Sequence, residues 1–374
     1  MVAPDPVLDP QRQKLAKQYG RQKRALMFAG GFLGLAYLVA WQIGLSLGGV
    51  HVFSPGGIIL LFAAIVVGWE VVSLPNDWLG HQLSRGYGLS TQLAGSWLLD
   101  KLKALGLMIV LGGAMVELTY LFFRIEPSWW WLIDAAVLLV FTVLLANLAP
   151  VLIVPLFFKF TPLEDAELTQ RLLNLVTRAG TKVRGVFTMH LSEKTTAANA
   201  ALMGWGNTRR IVVGDTLAEN YTHDETEAVL AHELGHHVHH DIWRAIALQS
   251  ATTVVALWLT HYVLSLLQAH HGLGPLDDGQ HMPLVALLFA FWSALFVPLL
   301  NWASRVAERR ADEYALATAS RPRAFAGSMV RLANQNLAEV DPPRWVEVLL
   351  YDHPAIRRRI ALFEASAEDS TRAL

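Results

Sequence analysis

Six long apolar stretches constrain the fold of this 374-residue sequence more than any other feature. An α-helix needs roughly 20 predominantly apolar residues to cross the hydrocarbon core of a bilayer, and each stretch is close to or above that length. A hydrophobic content of 53% and a positive mean hydropathy agree with several membrane-spanning helices. The predicted spans are residues 25–47, 57–74, 104–123, 129–158, 245–267 and 284–302.

Proline and tryptophan residues indicate where some of these spans end. The Pro-Asn-Asp sequence at residues 75–77 is predicted to end the second span, and Pro127 separates the third span from the fourth. Pro150 and Pro155 are predicted to kink the far end of the fourth span. The three tryptophans at residues 129–131 are most simply an interfacial belt.

The remaining segments are polar enough to lie outside a bilayer. An amphipathic helix is predicted at residues 163–179, and strands are predicted at residues 183–190 and 210–213. The sequence therefore predicts a mainly α, polytopic membrane protein with a small β-sheet. Its predicted divisions are a polar leader (residues 1–24), an N-terminal membrane domain with four spans (residues 25–158) and a second domain that includes the last two spans (residues 159–374).

The most specific motif is His-Glu-Leu-Gly-His, which begins at His232 and has the pattern H-E-x-x-H. Thr222 and Glu225 fit a capping box, which predicts that a helix begins just upstream. Residues four apart share one helix face, so His232 and His236 could each offer a ring nitrogen to one cation, with Glu233 as a base beside them. The pattern also occurs by chance on ordinary amphipathic helices, and alone it does not establish a metal site.

A second pair of acidic residues lies far along the chain, in the sequence S-R-V-A-E-R-R-A-D. Glu308 and Asp312 are four residues apart and would share a helix face. Two histidines and a distant glutamate are the ligands of a catalytic zinc site that keeps its fourth position for water. Asp312 would then hold a ligand imidazole in one tautomer. The alternative is a solvated helix face among Arg305, Arg309 and Arg310.

Composition narrows the possible partners and ligands. The sequence has no cysteine, so a zinc site would have to use histidine, glutamate and aspartate. The net charge of −1 gives no basic footprint for nucleic acid. We expect no cleavable signal peptide, because the first apolar stretch follows a long polar leader and is itself long enough to span.

Taken together, H-E-L-G-H and S-R-x-x-E-x-x-A-D resemble the paired motifs of a family of integral-membrane zinc metalloproteases. This family includes the type 1 CAAX prenyl proteases (Ste-type endopeptidases) and the HtpX heat-shock proteases. Residues 82–92 are similar to a loop of the CAAX-type members. Further matching segments, which extend the resemblance over most of the second half of the chain, are residues 156–163, 199–204, 209–217 and 353–360.

The resemblance implies a gluzincin-like zinc protease domain that hydrolyses peptide bonds, with one zinc ion per chain. It implies that Asn199 anchors the substrate backbone and that His353 donates to the tetrahedral oxyanion. It also implies that Arg359 orders the loop that carries His353. The family motif around this histidine usually has a second proline, and Ala355 stands at that position here.

Substrate recognition is expected to involve a strand edge. The segment Arg210, Ile211, Val212 and Val213 is predicted to be an edge strand that pairs with an extended peptide, a mode of binding that tolerates many side chains. The substrate would be a peptide or protein, which could be lipidated or membrane-bound. The sequence does not identify the substrate, and it leaves prenyl recognition and oligomeric state open.

Two further groups of ionisable residues have no assigned role. His237, His239 and His240 raise the question of a second metal site, but beside a membrane such histidines are more often solvated or next to headgroups. Acidic residues in or near spans face either a cavity or the interface, and the sequence does not decide between these for Glu70, Glu117 and Asp134.

Basic residues predict the orientation in the membrane. They are concentrated in the leader, in the loop between the second and third spans, in residues 159–241 and in the C-terminal tail, which would all lie on one side. By the positive-inside rule the zinc site would face the cytoplasm, from a cell inner membrane or the endoplasmic reticulum. CAAX-type relatives have seven spans, so the count is six or seven.

Three functions fit these features, in decreasing order of support. The first is a membrane-embedded zinc endopeptidase of CAAX prenyl protease type. The second is an HtpX-like quality-control protease, which would have fewer spans upstream and no counterpart of residues 82–92. The third is an inactive membrane scaffold, which the complete ligand set and base disfavour. A protease that cuts within the membrane is disfavoured because charged and polar residues flank the H-E-x-x-H motif.

Overall fold

A computed structural model describes residues 6–204, 206–319 and 321–372, and the first five residues of the predicted leader lie outside this part of the chain. Its strands are β1 (Phe160–Pro162), β2 (Val186–Met189), β3 (Ala200–Met203) and β4 (Arg210–Gly214). Its helices are α1 (Pro10–Leu47), α2 (Pro55–Gly86), α3 (Ala94–Ile125), α4 (Trp130–Phe157), α5 (Ala166–Arg178), α6 (Asp215–Ala218), α7 (His223–Val238), α8 (Asp241–His271), α9 (Met282–Ala319), α10 (Pro322–Gln335), α11 (Arg344–Leu350) and α12 (Ile356–Arg372).

Among the described residues, six helices are long and apolar enough to cross a membrane, namely α1 to α4, α8 and α9, the last with the short turn that precedes it. Large apolar side chains such as Phe32 and Leu60 are more than 70% exposed on these helices, as a lipid-facing surface requires. The prediction of a mainly helical, polytopic membrane protein is confirmed. In α4 a π-helical turn at Ala149–Ile153 contains Pro150, one of the two predicted kink positions.

Two helices extend beyond the apolar spans that the sequence predicts. The helix of the second span is not broken at residues 75–77, because α2 continues through Pro75 to Gly86. A proline removes one backbone donor, and a long membrane helix tolerates this loss when neighbouring groups satisfy the freed carbonyl. The first helix begins at Pro10, where Asp9 caps it, so residues 10–24 of the leader are helical.

The four strands form one sheet in the order β1-β2-β4-β3, in which β2 and β4 are parallel and the other two pairs are antiparallel. The prediction that residues 210–213 form an edge strand is therefore wrong. Since β4 has a neighbour on both sides, Arg210, Ile211, Val212 and Val213 cannot pair with a peptide, and the last three are fully buried. The edge beside α7 belongs to β3.

Arg210 instead connects the sheet to a membrane helix. Its guanidinium donates a hydrogen bond of 2.5 Å to the carbonyl of Pro150 in α4 and lies over the ring of Phe160.

The main core surrounds α7, which packs against α5, the sheet, α9 and α10. Within it, Leu168 and Leu172 form part of the buried face that the amphipathic pattern of α5 predicts. This core fixes α7 against the C-terminal half of α9.

Candidate metal centre

Local sequence and one glycine place the motif helix. The predicted capping box is present, because Thr222 and Glu225 satisfy each other's backbone amides and so start α7 two turns before His232. Gly235 lies where α7 meets α9, and a Cβ there would lie 2.8 Å from Cα of Ala311. Only a residue without a side chain permits so close a contact. The two helices can therefore approach until Glu308 reaches the histidines.

Three side chains converge at this crossing. Nε2 of His232 and Nε2 of His236 are 3.2 Å apart. The carboxylate of Glu308 lies 3.4 Å from the first nitrogen and 3.2 Å from the second. All three ligand atoms lie within 4.8 Å of one another. In the described part of the chain, this is the one group of side chains with metal-ligand geometry.

The chemistry of these donors fits a bound cation. Glu308 is only 5% exposed, and its Oε2 is buried without a hydrogen-bond partner among the described residues. The Nδ1 atoms of both histidines are occupied by aspartates, which leaves both Nε2 lone pairs directed at the same point. A divalent ion held by these three side chains would stabilise the buried carboxylate and the two converging imidazole nitrogens.

The first histidine is held by a buried chain of contacts. Nδ1 of His232 lies 2.9 Å from Oδ1 of Asp312. Arg359 donates two hydrogen bonds to that carboxylate, at 2.7 and 2.9 Å, and its Nη1 lies 3.5 Å from Glu308. Asp312 therefore lies within hydrogen-bond distance of the first histidine. Arg359 also lies 3.3 Å from Nδ1 of His232 and over the ring of Phe325, so it supports the metal ligands, as predicted together with Asp312, in addition to the loop role that the family resemblance implies.

The second histidine has a support that the sequence analysis missed. Nδ1 of His236 lies 3.1 Å from Oδ2 of Asp241, and Oδ1 of the same carboxylate accepts a hydrogen bond of 2.8 Å from Arg310. His240 adopts a left-handed conformation with φ of 56°, so the chain reverses between α7 and α8 and returns Asp241 to the centre. The sequence signal that could have predicted this contact is an aspartate directly after the end of the helix and close to the second histidine.

His353 is brought to the centre from far along the chain. Its Nε2 lies 3.2 Å from Oε1 of Glu308, and its Nδ1 lies 2.7 Å from Asp352.

Glu233 is directly beside the ligands and lines a cavity of about 460 Å³ with His236. Burial raises the pKa of Glu233 above its ordinary value. Asn199 lies at the start of the edge strand β3 with its side chain exposed, and no contact joins it to the metal ligands.

The acidic residues of the spans have partners inside the protein. Glu70 pairs with Lys101 at 2.9 Å, and Glu117 pairs with Arg124 at 3.7 Å. Asp134 accepts a hydrogen bond of 3.0 Å from Thr119. These contacts leave the three acids outside the metal centre. His237, His239 and His240 likewise join no cluster with metal-ligand geometry in the described residues.

The fold and the site together define an integral-membrane metalloendopeptidase whose motif helix packs against the continuation of a membrane-spanning helix. Residues 162–367 match the model of peptidase family M48, and residues 5–159 match a family described as CAAX prenyl protease N-terminal, five membrane helices. The chain belongs to peptidase family M48. The two matches meet between residues 159 and 162, next to the predicted division at residue 158.

Relatives of known sequence cover most of the chain. An uncharacterized metalloprotease, YhfN of Bacillus subtilis, is 28% identical over 96% of this chain and 86% of its own length. CAAX prenyl protease 1 of Saccharomyces cerevisiae is 27% identical over 80% of this chain and 70% of its own length. The crystal structure of S. mikatae Ste24p shares the fold, with a TM-score of 0.80 at 23% identity over 95% of this chain and 89% of that one. These comparisons confirm the predicted family resemblance and the fold class.

Proposed function

We propose that this protein is a zinc-dependent endopeptidase of CAAX prenyl protease type, and that His232, His236 and Glu308 hold the zinc ion. The observation that carries the proposal is the convergence of two imidazole nitrogens and one buried carboxylate within 4.8 Å, with Glu233 beside them. Two histidines and one glutamate, without any thiolate, are a ligand set of catalytic zinc sites.

Side chains of the protein are proposed to transfer the proton and to stabilise the oxyanion. When bound, the ion supplies a Lewis acid that polarises the peptide carbonyl and lowers the pKa of water. Glu233 accepts the proton of the attacking water and passes it to the leaving amine. Burial raises the pKa of Glu233, which suits a group that must both accept and return a proton. His353 donates to the developing oxyanion, a contact whose loss costs about 2.7 to 4 kcal/mol in comparable sites.

The substrate peptide is proposed to add to the sheet at β3 rather than at β4. The strand Ala200–Met203 pairs with β4 on one side only, which leaves its other edge for an extended peptide near α7. Asn199 precedes this strand and is proposed to bind the peptide backbone. Asp312 and Arg359 are proposed to position His232.

The proposal also covers the side of the membrane on which the metal centre lies and the recognition of prenylated substrates. The basic residues outside the spans support a metal centre on the cytoplasmic side, in a bacterial inner membrane or the endoplasmic reticulum. The yeast relative is named a CAAX prenyl protease, and the matching N-terminal family carries the same description. We therefore propose that prenylated peptides are among the substrates. We also propose that the chain divides into a leader, a membrane domain and a peptidase domain.

The Glu233→Gln variant tests the catalytic role. We expect purified Glu233→Gln protein to retain about one zinc ion per chain, because the ligands are untouched, and to lose peptide cleavage. Zinc is measured by atomic emission and cleavage by a fluorogenic peptide, with Glu219→Gln as the control because Glu219 is an exposed residue of the same domain. Wild-type rates in Glu233→Gln would remove Glu233 from the reaction.

The metal and the prenyl group are tested separately. Chelator-treated wild-type protein should regain cleavage with zinc and not with magnesium, because nitrogen donors favour zinc. Peptides with and without a farnesyl group on cysteine, compared on the same preparation, test the lipid preference. Equal cleavage of the two peptides would reject prenyl recognition and leave the endopeptidase assignment intact.

A further inference from the structure

A cavity of about 460 Å³ continues from the candidate metal centre toward the membrane helices. Glu233 and His236 form one wall of it. The rest of the wall comes from the end of β3, the end of α7, the start of α8 and the middle of α4. A peptide paired with the edge of β3 would therefore have its neighbouring residues directed into this space.

The wall of this cavity carries one arginine and two histidines that can donate ring N–H groups. Arg209, His237 and His240 all line it, and Glu233 is the one acidic residue among its described lining residues. Arg209 is half-buried, and its guanidinium makes no hydrogen bond or ion pair with the residues that the structure describes. Burial lowers the pKa of Arg209. A partly buried guanidinium without an acidic partner is costly, and an anionic ligand would remove that cost.

The neighbouring arginine makes the contrast clear. Arg210 is adjacent in sequence, yet its guanidinium is occupied by the carbonyl of Pro150 and the ring of Phe160. Arg210 thus has a structural role, whereas Arg209 faces the cavity. The remaining lining is mainly apolar, with Leu202 and Ile242 among its members. The cavity can therefore accept a peptide segment that has apolar side chains and one negative charge.

We propose that this cavity binds a carboxylate of the substrate peptide, held by the guanidinium of Arg209 with ring N–H donors from His237 and His240. This inference rests on the proposed endopeptidase function. Because Glu233 lines the same cavity, the bound carboxylate fixes a position within a few residues of the bond that is cut. The carboxylate belongs either to the C-terminus of the peptide or to an acidic side chain, and arginine recognises both through the same paired hydrogen bonds.

Three peptides distinguish these sources on the full-length zinc enzyme in detergent. They share one sequence around the cleaved bond and end in a free acid, in an amide, or in an amide with a glutamate near the end. We expect wild-type kcat/KM for the preferred carboxylate peptide to exceed that of the plain amide about 10-fold to 100-fold, mainly through KM. Preference for the free acid assigns the C-terminus, and preference for the glutamate peptide assigns a side chain.

The Arg209→Gln variant should abolish that preference and leave cleavage of the plain amide unchanged. Arg209→Lys should keep part of the preference, since it keeps the charge but not the planar fork. Arg184→Gln is the matched control, because Arg184 is exposed and lies outside the cavity. Equal cleavage of all three peptides by the wild type, or an equal loss on all three in Arg209→Gln, would overturn the inference. Failure of the wild type to cleave any peptide would instead reject the proposed function.

Discussion

The two candidate histidine ligands share one face of α7 but lie in different surroundings. The side chain of His232 is 8% exposed, and that of His236 is 28% exposed. Behind His232, Asp312 is fixed by two hydrogen bonds from Arg359, whose side chain is 9% exposed. Behind His236, Asp241 receives one hydrogen bond from Arg310, whose side chain is 34% exposed. One side of the centre is thus dry and the other is partly open.

This difference follows from what each side faces. His232 faces the core around Phe325, where a charged network is strong because little water screens it. His236 lines the cavity that the substrate is proposed to enter, so its support must coexist with water and peptide. We infer that the buried side sets the position of the ion and that the open side adjusts to the substrate. Substitutions on the buried side should therefore reduce zinc affinity more than substitutions on the open side.

The largest effect is expected where both sides depend on the same contact. In Gly235→Ala, the new methyl group would meet the backbone of Ala311 at 2.8 Å and push α9 away from α7. Glu308 lies one turn before Ala311, so the carboxylate would leave both histidines at once. We expect zinc content to fall and kcat/KM to drop at least about 100-fold, the usual result of a displacement near 1 Å. Gly106→Ala is the control, because a Cβ at Gly106 would meet nothing within 4 Å.

The next largest effect is expected on the buried side. Asp312→Asn keeps the shape of the side chain but removes the charge that faces Arg359 and His232. Loss of such a partner weakens metal binding 10-fold to 100-fold, and burial places this variant near about 100-fold. Competition with a zinc chelator measures the change, and Glu313→Gln, at the exposed neighbouring position, should bind zinc normally. Unchanged affinity would mean that His232 needs no carboxylate behind it.

Periodicity explains why much of the centre could be predicted from the sequence. His232 and His236, like Glu308 and Asp312, are four residues apart, and that spacing alone puts each pair on one helix face. Span length likewise predicts six membrane helices, and the described residues form six helices that are long and apolar enough to span. These are local properties, and the sequence expresses them directly.

The parts that could not be predicted depend on the tertiary fold. Residues 210–213 form the strand with the strongest β pattern, but a strand's position in a sheet depends on its neighbours. The alanine-rich β3, whose pattern is weak, occupies the edge instead. Asp241 reaches His236 only because the backbone of His240 is left-handed, a conformation that is uncommon for residues other than glycine. Pro75 indicated an end of a helix that its surroundings override.

A smaller effect is expected when the open side loses its carboxylate. Asp241→Asn should weaken zinc binding about 10-fold, at the lower end of the range for such partners, because water can replace the lost contact to His236. The same chelator competition measures it, so the two variants can be compared directly. If Asp241→Asn weakens binding as much as Asp312→Asn, the two sides support the ion equally, and the gradient between them is wrong.

The smallest effect is expected from Arg310→Gln, which acts on His236 only through Asp241. Arg310 is about one-third exposed, and Arg244 lies 3.8 Å from the same carboxylate, so Asp241 keeps a second basic neighbour. Exposed ion pairs contribute roughly 0.2–1 kcal/mol, which predicts at most about a fivefold change in zinc affinity. The corresponding variant on the buried side, Arg359→Gln, leaves Asp312 without its partner and should cost far more. If Arg310→Gln reduces zinc affinity as much as Arg359→Gln does, the solvent exposure of these arginines does not determine how much each contributes to zinc binding.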